Sequence, residues 1–213
     1  MKRAVIFCGG EMDTDSVWLP EYKESLVLCA DGGYKHALRI GVAPDMIIGD
    51  MDSGIKKYPP SISHKVYPSE KDLTDTNICL DYAIEKGCSE VILLGGLGGR
   101  LDHEFSHYCL LLYGLRKGVK VKIVNGKNEI WMENKPFSLY PTEKKYISFF
   151  PYGGVVEKFS VRGLKYNVEN ITLDFGQAQA SSNQFDGEER ADITFKNGGL
   201  ILVMRCQDKD TEM

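Results

Sequence analysis

Short apolar runs that stop at glycine or aspartate and lead into a helix constrain the first half of the chain more than any other feature. Ser25 to Ala30 is such a run; it stops at Asp31-Gly32-Gly33, and Tyr34 to Ile40 then has a short helical pattern. Strand, glycine-rich turn and helix in this order form one unit of an alternating α/β fold. Similar runs predict further strands of a mainly parallel sheet: Lys2 to Cys8, Met46 to Ile48, Val91 to Leu94 and Val119 to Val124.

Two longer helices are predicted in the same half. The first extends from Asp75 to Lys86, ends before Gly87 and can be capped by Asp72 or Thr74. The second ends at Gly118, and its apolar residues recur at helical spacing. These residues predict one apolar face: Leu101, Phe105, Tyr108, Leu112 and Leu115.

Beyond Asn125-Gly126 the helical patterns disappear. Short apolar or alternating runs follow, separated by turn clusters such as Asp186-Gly187 and Asn197-Gly198-Gly199. Regularly spaced short strands predict a β-sandwich or barrel. We therefore expect an α/β domain over residues 1–125 and an all-β domain over 126–213. The predicted strands of the second domain are Glu129–Met132, Phe137–Tyr140, Tyr146–Phe150, Val155–Val161, Val168–Leu173, Ala191–Phe195 and Leu200–Met204.

Charge and cysteine content narrow the class of protein. The net charge is −4 and no basic tract occurs, so nucleic acid and anionic membranes are not expected partners. No apolar run reaches the length of a membrane span, and the N-terminal run is too short for a signal peptide. The six cysteines lack CxxC or zinc spacing. Buried free thiols in a reducing cytoplasm are expected.

Two aspartates follow the strand at Met46 to Ile48, separated by one residue. Residues two apart in an extended backbone point to the same side, so Asp50 and Asp52 should project together from the strand's carboxyl end. Ligands bind at this edge in open α/β sheets. A solvated turn is the alternative for this stretch alone. Other strand ends and helix starts also carry acids, and together they predict a negative cleft for Mg²⁺ and a polyphosphate: Asp31, Asp72, Asp75 and Asp102.

A glycine cluster, Gly95 to Gly99, lies between a strand and a helix. Backbone N–H groups and the helix dipole favour an anion there, and Arg100 can bind phosphate oxygens bidentately. The cluster is not a Walker A loop, because no Gly-Lys-Ser/Thr follows, and it lacks the third glycine of the dinucleotide fingerprint. Tight packing of strand on helix is the alternative explanation for the glycines.

Taken together, these pieces resemble the thiamine pyrophosphokinase (thiamine diphosphokinase) family. The resemblance spans nearly the whole chain and lies in the order of short motifs. They are Ala30-Asp31-Gly32-Gly33, Pro44-Asp45 leading to Gly49-Asp50-Met51-Asp52-Ser53, Lys71-Asp72-Leu73-Thr74-Asp75, Gly95-Gly96-Leu97-Gly98-Gly99-Arg100-Leu101-Asp102-His103 and Ser181-Ser182-Asn183.

The resemblance implies Mg²⁺-dependent transfer of diphosphate from ATP to the hydroxyl of thiamine, giving thiamine diphosphate and AMP. It also implies a homodimer whose β domain contributes to thiamine binding. The implied Mg²⁺ ligands are Asp50, Asp52 and Asp75, which with Asp102 form the catalytic set. The implied thiamine-binding residues are Ser181, Ser182 and Asn183. The implied ATP-binding residues are Asp31, Gly32, Lys71, Thr74, Gly96, Gly98, Gly99 and Arg100.

Two positions depart from animal members of the family, which have glutamine in place of Lys71 and a thiamine-stacking tryptophan in the last strand. Here that strand is aliphatic over residues 200–203. His103 follows Asp102, so a catalytic role is one alternative, but a histidine at a helix start is expected to lie on the polar surface. The other histidines receive no role.

The residues alone are also compatible with two other functions. One is a Mg²⁺-dependent diphosphokinase for another small alcohol, which would share the acid cluster. The other is a non-catalytic nucleotide or thiamine sensor, which would bind its ligand without turnover.

Overall fold

The computed structural model describes residues 2–12, 24–50, 59–68, 70 and 72–208. The chain forms two compact units, Met1–Gly126 and Lys127–Met213. The first is an α/β unit with a parallel sheet and the second contains antiparallel β-structure, which confirms the predicted fold class. No helix among the described residues has the length and apolarity needed to span a membrane.

Among the described residues of the first unit, six strands form a sheet. They are β1 (Arg3–Phe7), β2 (Leu26–Ala30), β3 (Met46–Gly49), β4 (Ser63–Val66), β5 (Glu90–Leu94) and β6 (Lys120–Val124). Their order across the sheet is β4-β3-β2-β1-β5-β6, and all five pairings are parallel. Because the strands are parallel, the turns that follow them meet at a single edge.

Three α-helices occur in the part of this unit that the structure describes: α1 (Tyr34–Arg39), α2 (Asp75–Glu85) and α3 (Leu101–Arg116). The apolar face predicted for α3 is not its buried face, since Leu101 is 80% and Phe105 63% exposed. Gly114 explains the difference, because a Cβ there would lie only 2.2 Å from Val121 Cγ2 on β6. The helix therefore lies close to the sheet along another stripe. Its buried residues are His107, Leu110, Leu111 and Gly114.

The described residues of the second unit form seven strands, all of which the sequence predicts. They are β7 (Asn128–Glu133), β8 (Phe137–Leu139), β9 (Tyr146–Pro151), β10 (Val156–Arg162), β11 (Val168–Leu173), β12 (Ala191–Thr194) and β13 (Ile201–Cys206). Two antiparallel groups form, β7-β13-β9 and β11-β10-β12-β8. Phe149 of the first group packs on Phe159 of the second, with ring centroids 5.5 Å apart, so the two groups share one core.

Candidate active site

A cavity of about 820 Å³ opens at the carboxyl edge of the parallel sheet. Its walls come from the turns after β1, β2, β3 and β5 and from the starts of α2 and α3. This is the edge at which open α/β sheets bind ligands. The structure brings eight of the predicted site residues together here: Asp31, Gly32, Asp50, Thr74, Asp75, Gly98, Gly99 and Arg100.

The ends of β2 and β3 deliver the first two carboxylates. Asp31 opens a single 3-10 turn directly after β2, with a φ of 34°, and Asp50 follows the last residue of β3. Gly49 permits this approach, because a Cβ at that position would lie 2.6 Å from the Cβ of Asp31. Any larger residue at position 49 would push the two strand ends apart.

The start of α2 contributes the next carboxylates. Thr74 is the N-cap, and its hydroxyl accepts a hydrogen bond from the Asn77 N–H at 3.3 Å. Asp75 lies in the first turn, where the helix dipole favours a negative charge. Asp72, in the turn before the helix, lines the same cavity. The cavity thus collects four carboxylates from three separate segments of the chain.

The glycine loop after β5 has a left-handed backbone at Gly95, Gly98 and Gly99, with φ values of 67°, 77° and 83°. The Gly98 N–H donates to the Glu104 carboxylate at 2.9 Å, so this amide is committed to the start of α3. Gly96 does not line the cavity; its carbonyl accepts a hydrogen bond from His107 Nδ1 at 2.7 Å. Gly98 and Gly99 are the loop glycines that reach the cavity.

Arg100 and Asp102 form a bidentate pair beside the glycine loop. Arg100 Nε and Nη2 donate to the two Asp102 carboxylate oxygens at 3.1 and 2.6 Å. These hydrogen bonds lower the pKa of Asp102 from its ordinary value. Both side chains are exposed, and only Arg100 lines the cavity. Arg100 is thus at the cavity with its guanidinium oriented by Asp102.

Comparison with known proteins matches both units to models of one family. The family model "Thiamin pyrophosphokinase, catalytic domain" matches residues 20–123, and "Thiamin pyrophosphokinase, vitamin B1 binding domain" matches residues 135–200. Thiamine pyrophosphokinase of Bacillus subtilis is 31% identical over 85% of this chain and 87% of its own. The chain belongs to the thiamine pyrophosphokinase family. The resemblance inferred from the ordered motifs is therefore confirmed.

Further comparisons of sequence and of fold support the same family. Thiamine pyrophosphokinase 1 of rice is 26% identical over 79% of this chain and 75% of its own length. The crystal structure of the Bacillus subtilis enzyme superposes with a TM-score of 0.87 at 28% identity, covering 98% of this chain and all of that one. This chain is accordingly an enzyme of the thiamine diphosphokinase type, and neither alternative function is favoured.

The match to the thiamin pyrophosphokinase B1-binding model includes Ser181, Ser182 and Asn183. Ser182 is exposed with a left-handed φ of 57°, and its N–H donates to Ser148 Oγ at 3.0 Å. Asn183 is buried, and its side-chain amide bonds both backbone groups of Tyr166, at 3.0 and 2.8 Å. Asn183 therefore holds the segment in place, while the two serines are exposed.

Several cavity residues receive no role from the sequence, among them Gly9, Gly10, Lys35, Thr76, Ser106 and His107. The glycine pair at the end of β1 was a usable signal, because it ends a strand as Asp31-Gly32-Gly33 does. His103, which the sequence predicts to lie on the surface, is exposed and also lines the cavity. Asp102 does not line the cavity, and Asp52 and Lys71 lie outside the described residues.

Proposed function

We propose that this chain transfers a diphosphate group from ATP to the hydroxyl of thiamine, with Mg²⁺, giving thiamine diphosphate and AMP. One observation carries the proposal: carboxylates from three segments and a glycine loop with Arg100 line the same cavity. Carboxylates gathered in this way repel one another unless a cation joins them. A magnesium polyphosphate suits both groups, because its metal binds the carboxylates and its phosphates pair with the Arg100 guanidinium.

Magnesium fits the donors that the cavity offers. Among the described residues no group of three or more His, Cys, Asp or Glu side chains is arranged to hold a metal. Mg²⁺, however, takes one or two carboxylates and completes its shell with phosphate oxygens and water. We assign it to Asp50 and Asp75 together with Asp52, with Asp31 in support. When bound, it neutralises charge on the phosphate oxygens.

The reaction requires the protein to align two substrates and to accept a proton. The thiamine hydroxyl oxygen bonds to the β-phosphorus of ATP, the bond from that phosphorus to the AMP oxygen breaks, and the hydroxyl proton moves to a base. Asp75 and Asp102, both in the catalytic set that the resemblance implies, are the two candidates for that base. We assign Asp75, through the carboxylate oxygen that does not bind Mg²⁺, because Asp102 is paired with Arg100, its pKa is lowered, and it does not line the cavity.

We assign the remaining contacts as follows. Asp31, Gly32, Lys71, Thr74, Gly96, Gly98, Gly99 and Arg100 form the ATP site, in which Gly96 acts through the loop that it shapes. Ser181 and Ser182 contact thiamine, and Asn183 holds them in place. Tyr166 is anchored by Asn183 and 59% exposed, so the segment has room for a ligand.

We further propose a cytoplasmic homodimer. The six cysteines are all free, which suits a reducing compartment. Sedimentation equilibrium tests the assembly. A mass of twice the chain's 23.9 kDa is expected, and a monomer at all concentrations would contradict the dimer.

The direct test is incubation of the purified protein with ATP, Mg²⁺ and thiamine, followed by chromatography of all products. AMP and thiamine diphosphate are expected in equal amounts, and EDTA should abolish both. ADP with thiamine monophosphate would show a simple kinase. Folded protein that binds ATP but converts neither substrate would overturn the proposal.

A further inference from the structure

Two buried polar side chains meet at the wall of the cavity, one from each long helix. Thr76 of α2 and His107 of α3 are each only 6% exposed, yet both line the cavity. His107 Nε2 lies 3.3 Å from Thr76 Oγ1, and His107 Nδ1 lies 2.7 Å from the Gly96 carbonyl oxygen. A single imidazole ring therefore joins α2 to the glycine loop.

The partners of His107 determine which nitrogen carries the proton. The Gly96 carbonyl can only accept, so Nδ1 must be the N–H that donates to it. In a neutral ring Nε2 is then an acceptor. The Thr76 hydroxyl has one proton, and Nε2 at 3.3 Å is a stronger acceptor than Cys8 Sγ at 3.8 Å, so the hydroxyl donates to Nε2. Burial lowers the pKa of His107, which agrees with a neutral ring. Both ring nitrogens are thus satisfied in one orientation, and the ring is fixed.

The two groups that the ring connects belong to different parts of the proposed ATP site. Gly96 is within the loop that presents Gly98, Gly99 and Arg100 to the cavity. Thr76 directly follows Asp75 at the start of α2. Burying a histidine and a hydroxyl costs stability compared with apolar residues of the same shape. Packing alone does not require a polar pair here, because α1 of the same unit packs on the sheet within a buried hydrophobic cluster that includes Ala37.

We propose that His107 is a positioning residue: it holds the glycine loop at a fixed distance from the acid-bearing start of α2, so that ATP phosphates and carboxylates are aligned. The proposal rests on the proposed function only in taking Mg²⁺–ATP as the ligand of the cavity. His107 acts through Gly96 and Thr76.

Four variants separate this role from simple packing. His107→Ala removes both hydrogen bonds, His107→Asn keeps a donor near Nδ1, and Thr76→Val removes the hydroxyl at constant shape. Leu111→Ala is the matched control, because Leu111 lies one turn further along α3, is buried and does not line the cavity. The measurements are Mg²⁺–ATP affinity by calorimetry without thiamine, the KM for each substrate, and the thermal midpoint.

We expect His107→Ala to weaken Mg²⁺–ATP binding about tenfold or more and to leave the KM for thiamine within about twofold. His107→Asn should recover most of the affinity. Thr76→Val should weaken binding alone but add little to His107→Ala, because the two side chains share one hydrogen bond. Leu111→Ala should lower the thermal midpoint without changing the affinity.

Equal affinities for the parent protein and His107→Ala, or equal losses in His107→Ala and Leu111→Ala, would overturn the proposal. Failure of the proposed function has a different signature. A parent protein that binds Mg²⁺–ATP but does not convert thiamine disproves the reaction, while the comparison of affinities still decides the role of His107. A parent protein that does not bind Mg²⁺–ATP overturns both.

Discussion

Asp50 and Asp75 reach one cavity from different elements, the end of β3 and the first turn of α2. We expect Asp50→Asn and Asp75→Asn to lower kcat/KM by about 100-fold or more, because the neutral amide no longer binds the metal tightly. The unfolding free energy should change much less, by about 1 kcal/mol or less, because relief of like-charge repulsion offsets the lost interaction of Asp75 with the helix dipole. Steady-state kinetics and urea unfolding measure the two effects.

Glu85→Gln is the control for these variants, because Glu85 lies at the far end of the same helix and outside the cavity. It should keep full activity. Activity of Asp50→Asn within about threefold of the parent would show that this carboxylate does not serve the reaction.

A second prediction for a single residue concerns how His107 makes the stability of the protein depend on pH. Burial lowers its pKa below the ordinary value of 6.5, so the unfolded chain binds the proton more readily. The contribution of neutral His107 to the free energy of unfolding is therefore fully present well above pH 6.5 and is lost as the pH falls below that value. Urea unfolding at about pH 8 and about pH 5.5 should show a steeper loss in the parent than in His107→Asn. Parallel pH dependence in both proteins would contradict this, since His103 and Glu104 are common to the two.

Some of this residue-scale chemistry follows from the sequence and some does not. The meeting of Asp31, Asp50 and Asp75 is predictable, because turns after parallel strands share an edge. The pairing of Arg100 with Asp102 and the use of the Gly98 N–H by Glu104 are not predictable. They depend on side-chain rotamers and local loop geometry, which periodicity does not encode.

At the scale of elements, α3 shows how an apolar pattern can be misinterpreted. The stripe through Leu101 and Phe105 has helical spacing, but a second stripe through Leu111 and Gly114 is the buried one. Gly114 decides between them by allowing α3 to approach Val121 of β6 closely. Counting apolar residues cannot detect this, because the deciding residue has no side chain and His107 is polar.

A pair of truncations tests this assignment. Leu111→Ala should lower the unfolding free energy by about 2–5 kcal/mol, because it leaves a cavity at a buried position. Phe105→Ala should cost less than about 1 kcal/mol, since the ring is 63% exposed. Chemical unfolding of both variants against the parent gives the comparison. A larger loss for Phe105→Ala would show that the sequence-predicted face is the packed one after all.

On the scale of the whole molecule, the change from helical to alternating patterns near residue 125 was enough to predict an α/β part followed by a β part. Sheet order was not predictable. β1 pairs with β5 as well as with β2, although β2, β3 and β4 all lie between β1 and β5 in the chain. Such pairing is set by packing of the whole sheet, and no local signal records it.

The reactivity of the six cysteine thiols tests which parts of the chain are buried. Cys8, Cys29, Cys79 and Cys88 are buried, and burial raises the pKa of Cys8 to about 12. Cys109 is exposed, and Cys206 is partly buried with a raised pKa. Ellman's reagent should therefore label Cys109 rapidly, Cys206 slowly and the remaining thiols only after unfolding. Rapid labelling of more than two thiols in the native protein would contradict the described core.

The most direct test of the proposed reaction follows the phosphates of ATP labelled separately at the α and γ positions, with Mg²⁺ and thiamine. Diphosphate transfer predicts that the γ label appears in thiamine diphosphate and that the α label stays in AMP, with one AMP released per thiamine converted. Appearance of the γ label in thiamine monophosphate, with the α label in ADP, would contradict diphosphate transfer and with it the alignment assigned to this cavity.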